Sequence, residues 1–294
     1  MDIGVFLQPP TVDKAVQQFR TAADAGFRSG WMPQAFGIDA LSSLAVVGRE
    51  VRGIDLGTSV VPTFPRHPTM LAAQALTVQQ SSGGRLTLGI GLSHQFVMED
   101  LLGLTWDRPV RHLREYLSIL LPLVRGEAAG VAGETLAANI ALDIADAAPV
   151  PVLVAALGPQ LLTVAGRMAE GTITWMTGPE TIRRHIRPTI RRAASEAGRP
   201  EPQVVCALPV CVTGDEDAAR EQAASRFALS GQLPSYRAML DREGVEGPAD
   251  VAIIGDAGAV RAGIERVFEA GATKFVAIPF ANREQTYDAV RSLL

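Results

Sequence analysis

Apolar residues in this chain fall into two alternating patterns. Short continuous or every-second-residue runs read as strands: Ile3–Leu7, Ser29–Met32, Asp55–Val61, Leu86–Leu92, Val152–Leu157, Thr172–Trp175, Val204–Val212 and Lys274–Pro279. Between them lie segments whose apolar positions recur near every 3.6 residues, which read as helices. These are Val12–Ala25, Ile38–Arg52, Thr69–Ser82, Arg111–Arg125, Pro159–Ala169, Glu180–Ala197, Asp215–Leu229, Ala257–Ala270 and Glu284–Leu294. In the second of them Leu41, Leu44, Ala45, Val47 and Val51 make one stripe for burial. Several helices end in glycine, as in AADAGFRSGW, because glycine tolerates the left-handed backbone that closes a helix.

Strict alternation implies parallel strands joined by right-handed crossovers. Eight such units in 294 residues predict an α/β fold, a single (β/α)8 TIM barrel domain over residues 1–294. The alternative arrangement is a doubly wound open sheet. Two connections exceed an ordinary turn, 93–150 and 230–256, and read as insertions after strand 4 and strand 7 on the active face.

Composition narrows the field. The chain is 47% hydrophobic, enough for a large core, and its net charge of −4 offers no field for nucleic acid or an anionic membrane. No apolar run approaches the roughly 18 residues of a membrane span, and the opening MDIGVFLQPP lacks a basic leader region. Cys206 and Cys211 sit five apart on one expected strand, hence on opposite faces, and read as buried thiols of a cytoplasmic protein.

In a TIM barrel the chemistry follows the C-terminal ends of the strands. That rule selects Gln8, Gln34, the segment from Ser59 to Arg66, Ser93, His94, Gly158, Pro159, the segment from Trp175 to Gly178, and Arg283. The set is poor in carboxylates, and the four histidines lack metal-ligand spacing. Hydrolytic and metal chemistry therefore recede in favour of a flat organic cofactor that brings its own reactivity. In VLVAALGPQLLTVAG a strand passes through Gly158 into a helix opened by Pro159, a junction able to hold a phosphate on free N–H groups. WMTGPETI repeats the device, with Thr177 as expected N-cap and Glu180 three residues later as a capping box. GIGLSH, which contains Gly91, lacks the third glycine of a dinucleotide fingerprint.

Two blocks, LGTSVVPTFPRHPTMLAAQALTVQQSSGGRLTLGIGLS and AALGPQLLTVAGRMAEGTITW, resemble the luciferase-like monooxygenase superfamily, in the branch that uses the deazaflavin coenzyme F420. The resemblance implies a non-proline cis peptide between Ser59 and Val60, with Val60 supporting one face of the cofactor ring. It places Val61, Thr63 and Phe64 along the pocket and the cofactor phosphate at Gly158 and Pro159. Gly91, Trp175 and Thr177 complete the expected cofactor residues, and Gln8 and Phe36 join Phe64 toward substrate. It further implies a homodimer. Sugar-phosphate dehydrogenases of this branch carry an Asp–His pair after strand 2 and a glutamate after strand 4. Gln34, Ala35 and His94 stand there instead, so the resemblance implies reduction rather than alcohol oxidation.

The expected activity is therefore hydride transfer from reduced deazaflavin to an activated C=C or C=N bond of a small organic substrate. His94, or a water it holds, is expected to supply the proton and Gln34 to orient ring or substrate. The alternatives are an FMNH2-dependent flavin monooxygenase, with FMN as cofactor, and a non-catalytic binding protein on the same barrel. Arg183, Arg184, Arg187, Arg191 and Arg192 in IRRHIRPTIRRAAS read as a solvated face, or as partners for the acidic oligoglutamate tail of the deazaflavin.

Overall fold

The computed structural model describes residues 1–294. Its eight parallel strands close on themselves as a (β/α)8 barrel. In order they are Ile3–Phe6, Ser29–Met32, Asp55–Thr58, Leu86–Gly91, Val152–Val154, Gly171–Trp175, Gln203–Val212 and Lys274–Pro279, numbered strands 1 to 8 below. Strand 1 pairs with strand 8, and strand 7 pairs with both strand 6 and strand 8, which closes the ring and excludes the open sheet.

Two layers of core hold the barrel. The larger lies between strands and helices. The smaller fills the interior with Trp31, Leu153, Ile173, Val205, Ala207 and Val276. Trp31 is 1% exposed and donates its indole N–H to Ser29 Oγ at 2.9 Å. A side chain at Gly57 would overlap the Trp31 ring, and one at Gly4 would come within 2.8 Å of its nitrogen. Glycine on both neighbouring strands thus makes room for the indole. Outside the barrel, an added carbon at Gly30 would overlap Phe19 of the first helix.

Strand 3 departs from its expected end. It stops at Thr58, and a short pairing resumes at Val61 and Pro62 against Ile90 and Gly91 of strand 4. Thr58 bridges the gap, its hydroxyl accepting from Gly89 N–H at 2.9 Å and donating to Gly89 C=O at 2.8 Å. Ser59 and Val60 are left bulging from the ladder. The peptide bond between them is cis, as the resemblance implied. Beyond them Arg66 pairs with Asp39, and the His67 ring accepts from Thr69 N–H at the start of the helix Pro68–Ser82.

The connection 93–150 divides in two. A π-helical turn, Val97–Leu101, stays at the barrel mouth. The helix Pro109–Leu123 then leads to an antiparallel hairpin, Ala129–Ala132 with Ala137–Ile140. The Glu115 carboxylate accepts from the N–H groups of Glu134, Thr135 and Leu136 at 3.1, 2.7 and 3.0 Å, which ties the hairpin tip to that helix. The small-residue stretch is thus an outer ornament, while the first part of the connection reaches the mouth. The connection 230–256 carries the helix Pro234–Glu243 and a short strand, Ile253–Gly255, paired with the end of strand 7.

Candidate active site

A cavity of about 1200 Å³ opens at the C-terminal ends of the strands. It is somewhat larger than the roughly 300–1,000 Å³ that small-molecule sites usually enclose. Every barrel strand or the turn after it contributes to its wall, Phe6 and Gln8 after strand 1 and Ala35 after strand 2 among them.

The bulge supplies one side. Ser59 and Val60 line the cavity, and Val60 packs with Ala155, Phe6 and Ile278 against the interior cluster. Gly91 faces them across the ladder, and an added carbon there would lie 2.8 Å from Val60 Cγ2 and 3.1 Å from Ala155 Cβ. Glycine is therefore what lets Val60 settle onto strand 4. The resulting surface, with Ile173 and Leu157 nearby, is apolar and suits a flat ring.

Past strand 5, Gly158 lines the cavity at the start of the helix Pro159–Met168, which no side chain caps. An added carbon at Gly158 would meet nothing within 4 Å, so the helix start is open to a ligand. Its first N–H groups and the positive end of the helix dipole suit an anion. Pro159 itself is turned to solvent. The second junction differs from expectation. Gly178, not Thr177, is the cap residue, and Thr177 is fully buried with its hydroxyl donating to Trp175 C=O at 3.1 Å. The capping carboxylate is Glu243, which accepts from Glu180 N–H at 3.1 Å and Thr181 N–H at 2.8 Å. Glu180 instead pairs with Arg183 and Arg184. A remote carboxylate outcompetes a local capping box here because it reaches two N–H groups at once.

After strand 4, Ser93 takes a left-handed backbone, φ 69°, and the chain turns His94 into the cavity. The His94 ring meets Tyr236 edge-on, with centroids 5.2 Å apart at 71°. Burial lowers the His94 pKa from its ordinary value, so the ring is neutral at pH 7 and keeps one N–H. Burial pushes the Tyr236 phenol up to about 12, so it too stays protonated and able to donate. Trp175 lines the cavity, donates to Ser230 Oγ at 3.3 Å and stands edge-on to Phe227 at 5.5 Å.

Of the residues selected from sequence, Gln8, Ser59, Val60, Gly91, Ser93, His94, Gly158, Trp175 and Arg283 meet at this cavity. The others lie elsewhere. Gln34 Oε1 accepts from Ala40 N–H at 2.7 Å and so caps the helix Ala40–Glu50 beside Asp39. Val61 is sealed in the outer core. Thr63 Oγ1 lies 3.1 Å from His112 Nε2, and Phe64 stacks on the His112 ring at 4.0 Å and on Trp106 at 4.8 Å. Phe36 is 72% exposed. Sequence reasoning passed over Tyr236, Arg226, Phe227 and Ser230, all of which line the cavity. Arg226 and Phe227 fell at the end of an expected helix, and Ser230 and Tyr236 in a long connection that no motif marked. Four of the arginines in IRRHIRPTIRRAAS, Arg183, Arg187, Arg191 and Arg192, line a separate hollow of about 430 Å³.

The family model described as luciferase-like monooxygenase matches residues 1–291. A 5,10-methylenetetrahydromethanopterin reductase from Methanolobus tindarius is 27% identical over 260 residues, covering 87% of this chain and 79% of its own. Among solved structures, the coenzyme F420 dependent tetrahydromethanopterin reductase from Methanopyrus kandleri superposes with TM-score 0.83 at 22% identity, over 99% of this chain and 97% of that one. The monooxygenase RslO1 from Streptomyces bottropensis superposes with TM-score 0.78 at 18% identity, over 99% and 97%. The fold is thus shared by a reductase and an oxygenase, and the choice between those chemistries falls to the site.

Proposed function

The chain belongs to the luciferase-like monooxygenase family, and within it we propose an F420-dependent oxidoreductase that reduces an activated C=C or C=N bond of a small organic substrate. The observation that carries this reading is the join of the Ser59–Val60 bulge and the open Gly158 junction in one cavity. One offers a flat apolar seat, the other an anion site, and a phosphate-bearing deazaflavin needs both. When bound, the deazaflavin supplies the hydride.

The chain's own residues do the rest. Val60, seated against Gly91, holds one ring face, and Ile173 and Leu157 exclude water beside it. Neutral His94 faces the cavity and holds a water there, and that water supplies the proton to the reduced bond, its hydroxide passing to solvent. Tyr236 steadies the His94 ring and offers a second donor to a substrate oxygen. Gln34 is spent on its helix cap and drops out of this account.

Titration of the purified protein with coenzyme F420 and with FMN, followed by absorbance, tests the cofactor. Tighter binding of F420, followed by anaerobic oxidation of its reduced form by an enone or imine, supports the reading. FMN preference with oxygen uptake during turnover replaces it with a flavin monooxygenase, and failure to bind either leaves only a binding protein. In the favoured case His94→Ala slows turnover about 100-fold, at the low end of general-acid effects, and shifts F420 affinity less than twofold.

A further inference from the structure

The cavity wall after strands 7 and 8 differs in kind from the one described so far. Two guanidinium groups line it, Arg226 at the end of the helix Glu216–Arg226 and Arg283 at the start of the helix Arg283–Arg291. Most arginines of this protein near a carboxylate are paired, as Arg66 is with Asp39 and Arg167 with Glu196. Arg226 instead donates once, to Phe280 C=O at 3.2 Å, and lies 5.9 Å from the Phe227 ring centroid. Arg283 has no ion pair and no side-chain hydrogen bond, and no side chain caps its helix. Each guanidinium carries five N–H donors in a planar fork, so most of that capacity has no protein partner at the cavity wall.

Nothing apolar needs such a wall, and the acidic residues that line the cavity, Glu99 and Asp100, belong to the turn after strand 4. Glu99 already accepts from Gln95 at 2.8 Å. The cofactor's phosphate has its own place at Gly158, after strand 5. We infer that Arg226 and Arg283 form an anion subsite that takes a carboxylate or phosphate of the hydride acceptor. The inference rests on the reading of the cavity as a hydride-transfer site. Bidentate Arg–carboxylate contacts give both energy and orientation. Held there, the acceptor's reducible bond is steered toward the Val60 seat, with Tyr236 and His94 beside it.

Calorimetric titration of the full chain with benzoate and with uncharged benzyl alcohol tests the subsite, each run with and without oxidised F420. Benzoate is expected to bind at least tenfold tighter than the alcohol. Arg226→Gln and Arg283→Gln should each weaken benzoate at least fivefold while leaving F420 affinity within twofold. Equal affinities for acid and alcohol, or benzoate binding unchanged in both variants, overturns the subsite. A fall in F420 affinity beyond fivefold also overturns it, because the arginines then belong to the cofactor's own acidic tail. If F420 does not bind at all, the functional reading fails, and the unloaded titration still judges the subsite by the same criteria. Both residues are exposed, and thermal unfolding of each single variant close to wild type certifies that a lost signal is not lost folding.

Discussion

The junctions after strands 5 and 6 carry almost the same sequence, LGPQ and TGPE, yet do different work. In both, glycine is the cap residue and proline takes the first helical position. At Gly178 the helix start is filled, because Glu243 accepts from Glu180 and Thr181. At Gly158 it faces the cavity with no side-chain cap. The local sequence specifies a helix start with free N–H groups. A residue 63 positions away from Glu180 decides which start is capped and which stays open.

The strongest way to break this comparison is Glu243→Ala. It removes a carboxylate bonded to two backbone N–H groups, and hydrogen bonds to a charged partner are worth about 1.5–3 kcal/mol each. A loss of about 3 kcal/mol in urea unfolding is expected. A neutral result would mean that the Gly178 junction is as open as the Gly158 one.

Acid unfolding sharpens the same point only after His112 is accounted for. Burial holds the His112 pKa down at about 4, against an ordinary value of 6.5. Above pH 6.5 neither folded nor unfolded chain protonates it. As pH falls toward 4 the unfolded chain takes up the proton and the folded chain does not, so stability is lost across that window. At about 1.36 kcal/mol per unit the loss amounts to nearly 3 kcal/mol. His112→Phe, which keeps a ring against Phe64, should flatten the slope between pH 6.5 and 4 in Tm measurements. A slope left intact assigns the acid sensitivity to other groups.

The smallest effects come from the two glycines themselves. Gly178→Ala pushes a carbon into the Glu243 carboxyl and should cost about 1–2 kcal/mol by overpacking. Gly158→Ala has space and an ordinary φ of −74°, so its stability should stay within about 0.5 kcal/mol of wild type. If the cofactor binds as proposed, F420 affinity should nevertheless fall, because the new methyl would stand where its phosphate is proposed to approach. Equal loss of stability in the two variants would erase the distinction.

Much of the fold was legible along the chain. All eight strands lie where apolar runs placed them, and most helices differ only at their ends. Strand 3 was read through to Val61, because an inward bulge keeps the same apolar letters as a regular strand. The helix Pro234–Glu243 was missed, since PSYRAMLDRE packs only Met239 and Leu240 fully and shows no clear stripe. At the site, His94 and Gly158 were readable because each follows a strand end. Gln34 follows one too, but its amide turned to the nearer backbone N–H of Ala40. Thr63 and Phe64 turned away as well, toward the buried His112.

The order of strands, the barrel they close and the end at which chemistry gathers were thus written in periodicity, because a two-residue or 3.6-residue repeat commits each element to one buried face. Which side chains share the cavity was decided only in three dimensions. Glu243 covering one helix start, Tyr236 meeting His94, and Arg226 standing with Arg283 on one wall all join distant parts of the chain. Such pairings depend on distance in space and competition for hydrogen bonds, which no local pattern of residues encodes.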